Sequence, residues 1–123
     1  MSRARINLGL QGEDLATDYF KNKGYKILSR NYRKQTGEID IIARDGEYLV
    51  FIEVKTRTSL LFGQPYEAVT LKKQGQISRV ALDYITRNKL HNQAMRFDVV
   101  SVLIPVNGKI EINHLPACFE AIL

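Results

Sequence analysis

The stretch 37–57 contains side chains whose types and spacing could do chemistry together. They are three acids and one lysine, namely Glu38, Asp40, Glu53 and Lys55. Carboxylates placed close together repel one another, and a bound cation relieves that repulsion. Their oxygens suit a divalent metal such as Mg²⁺, which takes one or two carboxylates and leaves its other positions to water and phosphate. The alternative is a solvated surface on which the acids and the lysine form ordinary ion pairs.

These charged residues are predicted to share one face of a β-hairpin. Apolar and charged residues alternate on both sides of Asp45-Gly46, a dipeptide that suits a two-residue turn with positive φ at both central positions. In the register set by that turn, Asp40 lies opposite Phe51, and alternation along each strand places the charged side chains together. The opposite face is predicted to be apolar and to be covered by a helix; it comprises Ile39, Ile41, Val50, Ile52 and Val54.

Hydrophobic periodicity and turn residues predict the elements that position this hairpin. Helices are predicted at 8–23 and 71–89, and strands at 25–33, 37–44, 47–56, 95–104 and 109–114. Gly24 is expected to end the first helix, and Thr70 is expected to cap the second. A loop is predicted at 58–65, beyond the candidate site, where it either contacts substrate or simply connects.

The strand at 95–104 is apolar enough to be central in the sheet, so Asp98 within it is expected to be buried. Arg96 lies on the same face two residues earlier and is its natural partner, so a structural pair is preferred to a catalytic role for Asp98. His91 and His114 have no second histidine or cysteine at ligand spacing, and both are predicted to lie at the surface.

Length and composition indicate one globular domain, residues 1–123, with 45% apolar and 25% charged residues. The single cysteine, Cys118, excludes an intramolecular disulfide, fits a reducing compartment and is predicted to fill a small apolar space. We see neither a signal peptide nor an uncharged stretch of membrane-spanning length, so we expect a cytoplasmic protein with no membrane partner. The motifs of serine hydrolases, P-loop nucleotidases, dehydrogenases and zinc sites are absent from the sequence.

The positive charge is concentrated in the first third of the chain. Residues 1–36 hold eight Lys or Arg against three acids, whereas residues 37–123 hold ten of each. The basic side chains alternate with two tyrosines and suit a polyanion such as nucleic acid, or they simply keep the surface soluble. The residues concerned are Lys21, Lys23, Lys26, Arg30, Arg33 and Lys34, with Tyr25 and Tyr32 between them.

Two further lysines, Lys72 and Lys73, stand in the first turn of the predicted second helix. The helix dipole disfavours a cation there unless an anion binds nearby. We therefore weigh a phosphate contact against a solvated helix face.

Four short motifs are spread along the chain: Gly9-x-x-Gly12-Glu13-x-x-Ala16, Gly37-Glu38-Ile39-Asp40, Glu53-Val54-Lys55-Thr56-Arg57 and Arg96-Phe97-Asp98-Val99-Val100. Together they resemble the YraN-type family of small bacterial proteins, for which endonuclease activity has been suggested, and the resemblance covers residues 8–104. Asp40 and Glu53-Val54-Lys55 also resemble the D-(x)n-(D/E)-x-K signature of restriction-endonuclease-like nucleases. The proline that often precedes the first acid of that signature is Ile39 here.

The resemblance implies an α/β fold, a restriction-endonuclease-like α-β-β-β-α-β core similar to that of archaeal Holliday-junction resolvases, with two main helices flanking a mixed central sheet. The implied activity is metal-dependent endonuclease cleavage of phosphodiester bonds in nucleic acid, with DNA, including branched recombination or repair intermediates, as the expected partner. Asp40, Glu53 and Lys55 would be the catalytic residues, and the two acids would hold Mg²⁺ or Mn²⁺ with the main-chain carbonyl of Val54. The alternative is an inactive nucleic-acid-binding or protein-interaction module with the same fold. A homodimer is compatible with both functions.

Three more residues are candidates for the same site. The resemblance makes Glu13 an outer metal-site acid; the alternative is a first-turn acid that complements the helix dipole. Glu38 is expected to assist by positioning water or metal, or to pair with Lys55 or Arg57. Arg57 is expected to hold the phosphate backbone. Lys55 could act as a base only with a depressed pKa, which neighbouring carboxylates oppose, so an electrostatic role is preferred.

Overall fold

The computed structural model describes residues 3–59, 61 and 68–122. Its elements are α1 (Arg3–Asn22), β1 (Lys26–Lys34), β2 (Gly37–Asp45), β3 (Tyr48–Arg57), α2 (Leu71–Arg87), β4 (Ala94–Leu103) and β5 (Glu111–Phe119). The strands form one sheet in the order β1-β2-β3-β4-β5; β3 and β4 run parallel, and the other neighbouring pairs are antiparallel. The expected α-β-β-β-α-β order is thus confirmed, and β5 is added at one edge.

The two helices cover opposite faces of the sheet, because the connection between parallel strands β3 and β4 carries α2 across the face away from α1. The cluster beneath α1 comprises Ala16, Phe20, Ile41, Ala43, Val50, Ile52, Val100 and Val102. The cluster beneath α2 comprises Ile39, Ile42, Leu49, Phe51, Val69, Ile77, Val80, Ala81, Ile85, Phe97 and Val99. The prediction that the hairpin has one apolar and one charged face is therefore wrong: both faces are buried, and Glu38, Asp40 and Lys55 lie at the end away from the turn.

The hairpin turn lies one residue later than the sequence predicts. Asp45 pairs with Tyr48, so Gly46 and Glu47 are the central residues, and Gly46 takes the positive φ of 58°. A two-residue loop with glycine first matches a type II′ turn, in which the second position does not need positive φ. Phe51 consequently pairs with Ile42 and not with Asp40.

Regular alternation along β2 breaks at Asp40. The β2–β3 register runs from the turn to the pair Ile41–Ile52. Ile39 packs beneath α2 whereas Ile41 packs beneath α1, so the prediction that they share a face is wrong. The interruption leaves Asp40 at the point where the two strands stop pairing, and there its side chain contacts β3 instead.

Helix α1 begins five residues before its predicted start, at Arg3. Glu13 is therefore in the middle of the helix, and the interpretation of it as a first-turn acid is wrong. The cap of α2 is confirmed, because the Thr70 side chain accepts a hydrogen bond from Lys73 N at 3.2 Å. Of the loop predicted at 58–65, residues 60 and 62–65 lie outside the described residues.

A buried ionic cluster around Asp98 joins β4 to β5. Its carboxylate is fully buried and lies 3.1 Å from Arg96 Nε, 2.7 Å from His114 Nε2 and 2.9 Å from the amide nitrogen of Ala117. The predicted Arg96 partner is confirmed. His114 was expected at the surface, but its side chain is only 6% exposed, because β5 continues to Phe119 and carries His114 across β4. Cys118 is exposed on the same strand, so its predicted role as an apolar filler is wrong.

None of the helices within the described ranges is both long and apolar enough to cross a membrane.

We expect Asp98→Ala to destabilise the protein by about 3–5 kcal/mol, because it leaves a buried arginine and histidine without their shared partner. Chemical denaturation measures this loss. The matched control is Asp45→Ala, which removes the other acid on Arg96; its side chain is 41% exposed, so a loss under about 1 kcal/mol is expected. Equal effects of the two substitutions would contradict the assignment of Asp98 as the anchor.

Candidate active site

A cavity of about 730 Å³ lies between the N-terminal half of α1 and the end of the β2–β3 hairpin. Strand β2 begins and strand β3 ends at this cavity, so the residues beyond the last β2–β3 pair, Ile41–Ile52, can line it. Its lining includes the predicted site residues Glu13, Arg33, Glu38, Asp40, Lys55 and Arg57, together with Val54. Residues far apart in the chain are thus brought to one opening.

Among the acids that line this cavity, Asp40 is the one whose negative charge is least balanced by neighbouring groups. Its Oδ2 accepts a hydrogen bond from the amide nitrogen of Val54 at 2.8 Å. Burial and the negative charge of Glu53 raise the pKa of Asp40 to about 8, even though the bond from Val54 lowers it; Glu13 and Glu38 add to the increase. The site therefore lacks positive charge at Asp40 and would favour a cation there.

Glu53 lies beside Asp40 but faces different partners. Its side chain is 6% exposed, and its Oε1 lies 3.4 Å from Lys55 Nζ and 3.4 Å from Lys73 Nζ. It is not among the residues that line the cavity. Lys73, which we predicted to contact nucleic acid, thus reaches from the first turn of α2 to the acid of the candidate site.

Burial lowers the pKa of Lys55, and the neighbouring Lys73 ammonium lowers it further, although Glu53 opposes both effects. A neighbouring carboxylate thus opposes the decrease in pKa, as expected, but the effects of burial and of Lys73 are larger, so the preference for a purely electrostatic role is not supported. The sequence did not show that a second lysine from α2 shares the same acid. With a lowered pKa, Lys55 is suited to accept a proton as well as to supply charge.

The two outer acids are each paired with an arginine of β1. Glu13 is buried in the middle of α1 and lies 3.3 Å from Arg30, which also binds Asp14 at 2.9 Å. Glu38 lies 3.3 Å from Arg33 and not beside Lys55 or Arg57, the partners predicted for it. Both acids remain at the cavity, but their charges are already partly balanced.

The basic residues of the first third of the chain do not form one patch. Arg33 lines the cavity, and Arg30 contacts acids of α1 beside it. Lys34 instead lies 3.7 Å from Asp83 of α2, and Lys23 lies 3.3 Å from His114. Beyond that region, Arg57 lines the cavity and donates to the carbonyl oxygen of Thr56, and Lys72 is exposed.

The residues at the cavity fit a magnesium ion that is held by few protein ligands. Within the part of the chain that the structure describes, no group of three or more His, Cys, Asp or Glu side chains could hold a metal. Mg²⁺ commonly uses one or two carboxylates and completes its six positions with water and substrate phosphate. The raised pKa of Asp40, beside Glu53, is what such a two-carboxylate site would show without its cation.

One wall of the site was not predicted from the sequence. Ile6, Leu8, Gly9 and Leu10 of α1 line the cavity but precede or only begin the predicted helix. The apolar residues at 6, 8 and 10 alternate like a strand, which hid their place in a helix. A helix start nearer Arg3 would have placed them beside Glu13.

We expect the contribution of Asp40 to stability to fall as pH rises from about 4 to about 8, because Asp40 binds its proton in the folded state more tightly than in the unfolded state, with a folded pKa of about 8 against 3.8. Asp40→Asn keeps an oxygen for Val54 N and removes the charge. It should be more stable than the wild type at pH 8 by on the order of 1–3 kcal/mol in metal-free buffer, with the difference vanishing near pH 4. Thermal denaturation at both pH values measures this difference. Parallel pH profiles of stability for the wild type and Asp40→Asn would contradict an unbalanced charge at Asp40.

The chain is similar to known proteins over most of its length. The model of the family described as "Uncharacterised protein family UPF0102" matches residues 12–102. A "UPF0102 protein" of Geobacter metallireducens is 47% identical over 121 residues, which cover 98% of each chain. Proteins with the same description in Trichlorobacter lovleyi and Clostridium botulinum (strain Langeland) are 46% and 50% identical, over 92% and 93% of this chain and 90% and 94% of theirs. The chain belongs to family UPF0102, which is the YraN-type family that its four motifs resemble.

Proposed function

We propose that this protein is a metal-dependent endonuclease that hydrolyses phosphodiester bonds in nucleic acid, with DNA as the substrate. The observation that carries the proposal is the carboxylate of Asp40: it lines a cavity, is repelled by Glu53, and has a lysine, Lys55, lining the same cavity. A buried charge arranged against its neighbours in a cleft is a common mark of a functional site.

Asp40 and Glu53 would hold Mg²⁺, for which Mn²⁺ could substitute, together with the main-chain carbonyl of Val54. When bound, the ion would balance their charge, acidify a water molecule and stabilise negative charge on the phosphate. Glu53 can contribute an oxygen because its Oε1 is the atom that faces the two lysines, which leaves Oε2 outside those contacts. Glu13 and Glu38 would act at a distance, since each is paired with an arginine.

In the reaction, the oxygen of water forms a bond to phosphorus, one P–O ester bond breaks, and the departing oxygen gains a proton. Lys55 would orient the attacking water and accept its proton, or stabilise the charge that develops on the phosphate. Its lowered pKa supports the first role and its positive charge supports the second. Arg57 would hold a phosphate next to the one that reacts, from its place at the end of β3.

A second candidate function is favoured by the lysines around Glu53. Two ammonium groups already balance this buried acid. With Glu53 balanced in this way, a protein that only binds nucleic acid or another protein through the same cavity would be stable without a metal. We propose a cytoplasmic location for the protein under either function, in keeping with the single cysteine.

Lys55→Ala should reduce cleavage at least about a hundredfold, because the charge or proton acceptor next to the phosphate is lost. Stability should change little, since Lys73 still faces Glu53 and burial already disfavours the ammonium of Lys55. Cleavage of labelled DNA and RNA and a thermal melt measure the two quantities, with Lys109→Ala as the control at an exposed lysine.

Loss of the folded state in Lys55→Ala would show a structural ion pair instead of a catalytic residue. Lys55→Arg separates the two roles. If Lys55 supplies a positive charge, the arginine variant should keep part of the activity. If Lys55 accepts a proton, the variant should lose the activity, because a guanidinium stays protonated.

Mg²⁺ or Mn²⁺ should raise the melting temperature of the wild type by several degrees at saturating concentration, because the ion binds the folded state alone. Asp40→Asn should abolish the increase. Asp14→Asn should retain it, because Asp14 is an exposed acid outside the cavity. Wild-type protein that binds DNA but whose melting temperature ignores the metal would favour the binding module.

A further inference from the structure

Helix α1 touches the sheet closely at one point and leaves it on the N-terminal side of that point. A Cβ atom built at Gly12 would lie 1.9 Å from Thr56 Oγ1, so only glycine allows the helix to approach β3 there. The residues before Gly12, from Arg3 to Gln11, are all exposed or half-buried. The cavity opens where the helix and the sheet separate.

Gly9 faces this opening one turn before the contact. It lines the cavity, and a Cβ atom built on it meets no atom of the described residues within 4 Å. Glycine inside a helix is destabilising relative to alanine, and here packing within the described chain does not require it. A glycine does let a ligand approach the helix backbone closely.

The same wall is mostly apolar, with Arg5 as its basic residue. Ile6, Leu8 and Leu10 line the cavity, and Ile6 and Leu10 remain 47% and 53% exposed. The sheet side of the cavity carries the cations of Arg33 and Arg57. A nucleic-acid strand whose bases are unpaired has the matching surfaces, because its base faces are apolar and its phosphates are anionic. A duplex has its base faces already stacked, and its phosphates alone would meet the apolar wall.

We propose that the substrate is an unpaired strand, single-stranded or in a flap, which lies between α1 and the sheet and passes against the helix backbone at Gly9. Its phosphates face the arginines of the sheet, and its bases and sugars rest on the apolar wall. The cavity volume of about 730 Å³ is that of a small-ligand pocket and suits a few nucleotides. This inference rests on the proposed function, since it names the substrate class of the same cavity.

The test fills the cavity from the helix side. Gly9→Leu places a side chain in open space, so the fold should be kept, and Gly9→Ala does so with one methyl group. Asn7→Leu is the matched control, because Asn7 is exposed on the same helix but does not line the cavity. Each change is made in the wild type, for cleavage, and in Asp40→Asn, for binding without turnover. The probes are one labelled DNA sequence as single strand, duplex and flapped duplex, and its RNA equivalent.

We expect the wild type to cut the single strand and the flap at least about tenfold faster than the duplex. Gly9→Leu should weaken single-strand binding at least about tenfold, which corresponds to the loss of one stacked base, with Gly9→Ala between it and the control. Thermal melts should show that all variants fold. Fluorescence anisotropy of the labelled strands measures binding.

The outcomes separate the two proposals. Equal cleavage of duplex and single strand, or unchanged binding in Gly9→Leu, overturns the unpaired-strand inference and leaves the nuclease intact. Binding of the single strand that Gly9→Leu abolishes, without cleavage of any probe by the wild type, overturns the nuclease and supports the inference. Absence of both binding and cleavage overturns both.

Discussion

The carboxylate of Asp40 is held where β2 and β3 stop pairing, and the rest of the site depends on that position. A side chain in a regular ladder would point to one face and be covered by a helix. Here the ladder ends at Ile41–Ile52, and Asp40 turns to accept the amide hydrogen of Val54. The bond fixes the acid against the adjacent strand, next to Glu53, while burial and repulsion keep its charge unfavourable. A fold that tolerates this arrangement gives up some stability at a place where a cation would recover it.

The acids around Asp40 differ in how the fold has balanced them. Arginines of β1 pair with Glu13 and Glu38, and lysines of β3 and α2 pair with Glu53. Asp40 alone in this group receives its described hydrogen bond from the backbone. The positive charges therefore surround the cavity without neutralising its centre. Such a distribution of charge would attract an anionic ligand to the rim of the cavity and a cation to its centre.

Asp98 of β4 shows the contrasting use of a buried acid. Arg96, His114 and the amide of Ala117 all contact its carboxylate, so its hydrogen-bonding capacity is met within the chain. Such a cluster joins strands that are distant in the sequence and leaves nothing for a ligand. The two aspartates thus serve different ends: Asp98 is fully buried and paired within the chain, whereas Asp40 is half-buried and lines the cavity.

Short-range periodicity and side-chain chemistry were enough to predict the kinds of elements, their order, the cap at Thr70 and the Asp98–Arg96 pair. The sequence also singled out Asp40, Glu53 and Lys55 by type and spacing. The tertiary structure was needed to place the turn at Gly46, the break in alternation at Asp40, the approach of Lys73 to Glu53, the burial of His114 and the apolar wall of α1. Most of these depend on contacts between elements that are distant in the sequence, whereas the turn depends on the register of two neighbouring strands. Local patterns contain no information about which helix covers a strand or which lysine reaches an acid across the sheet.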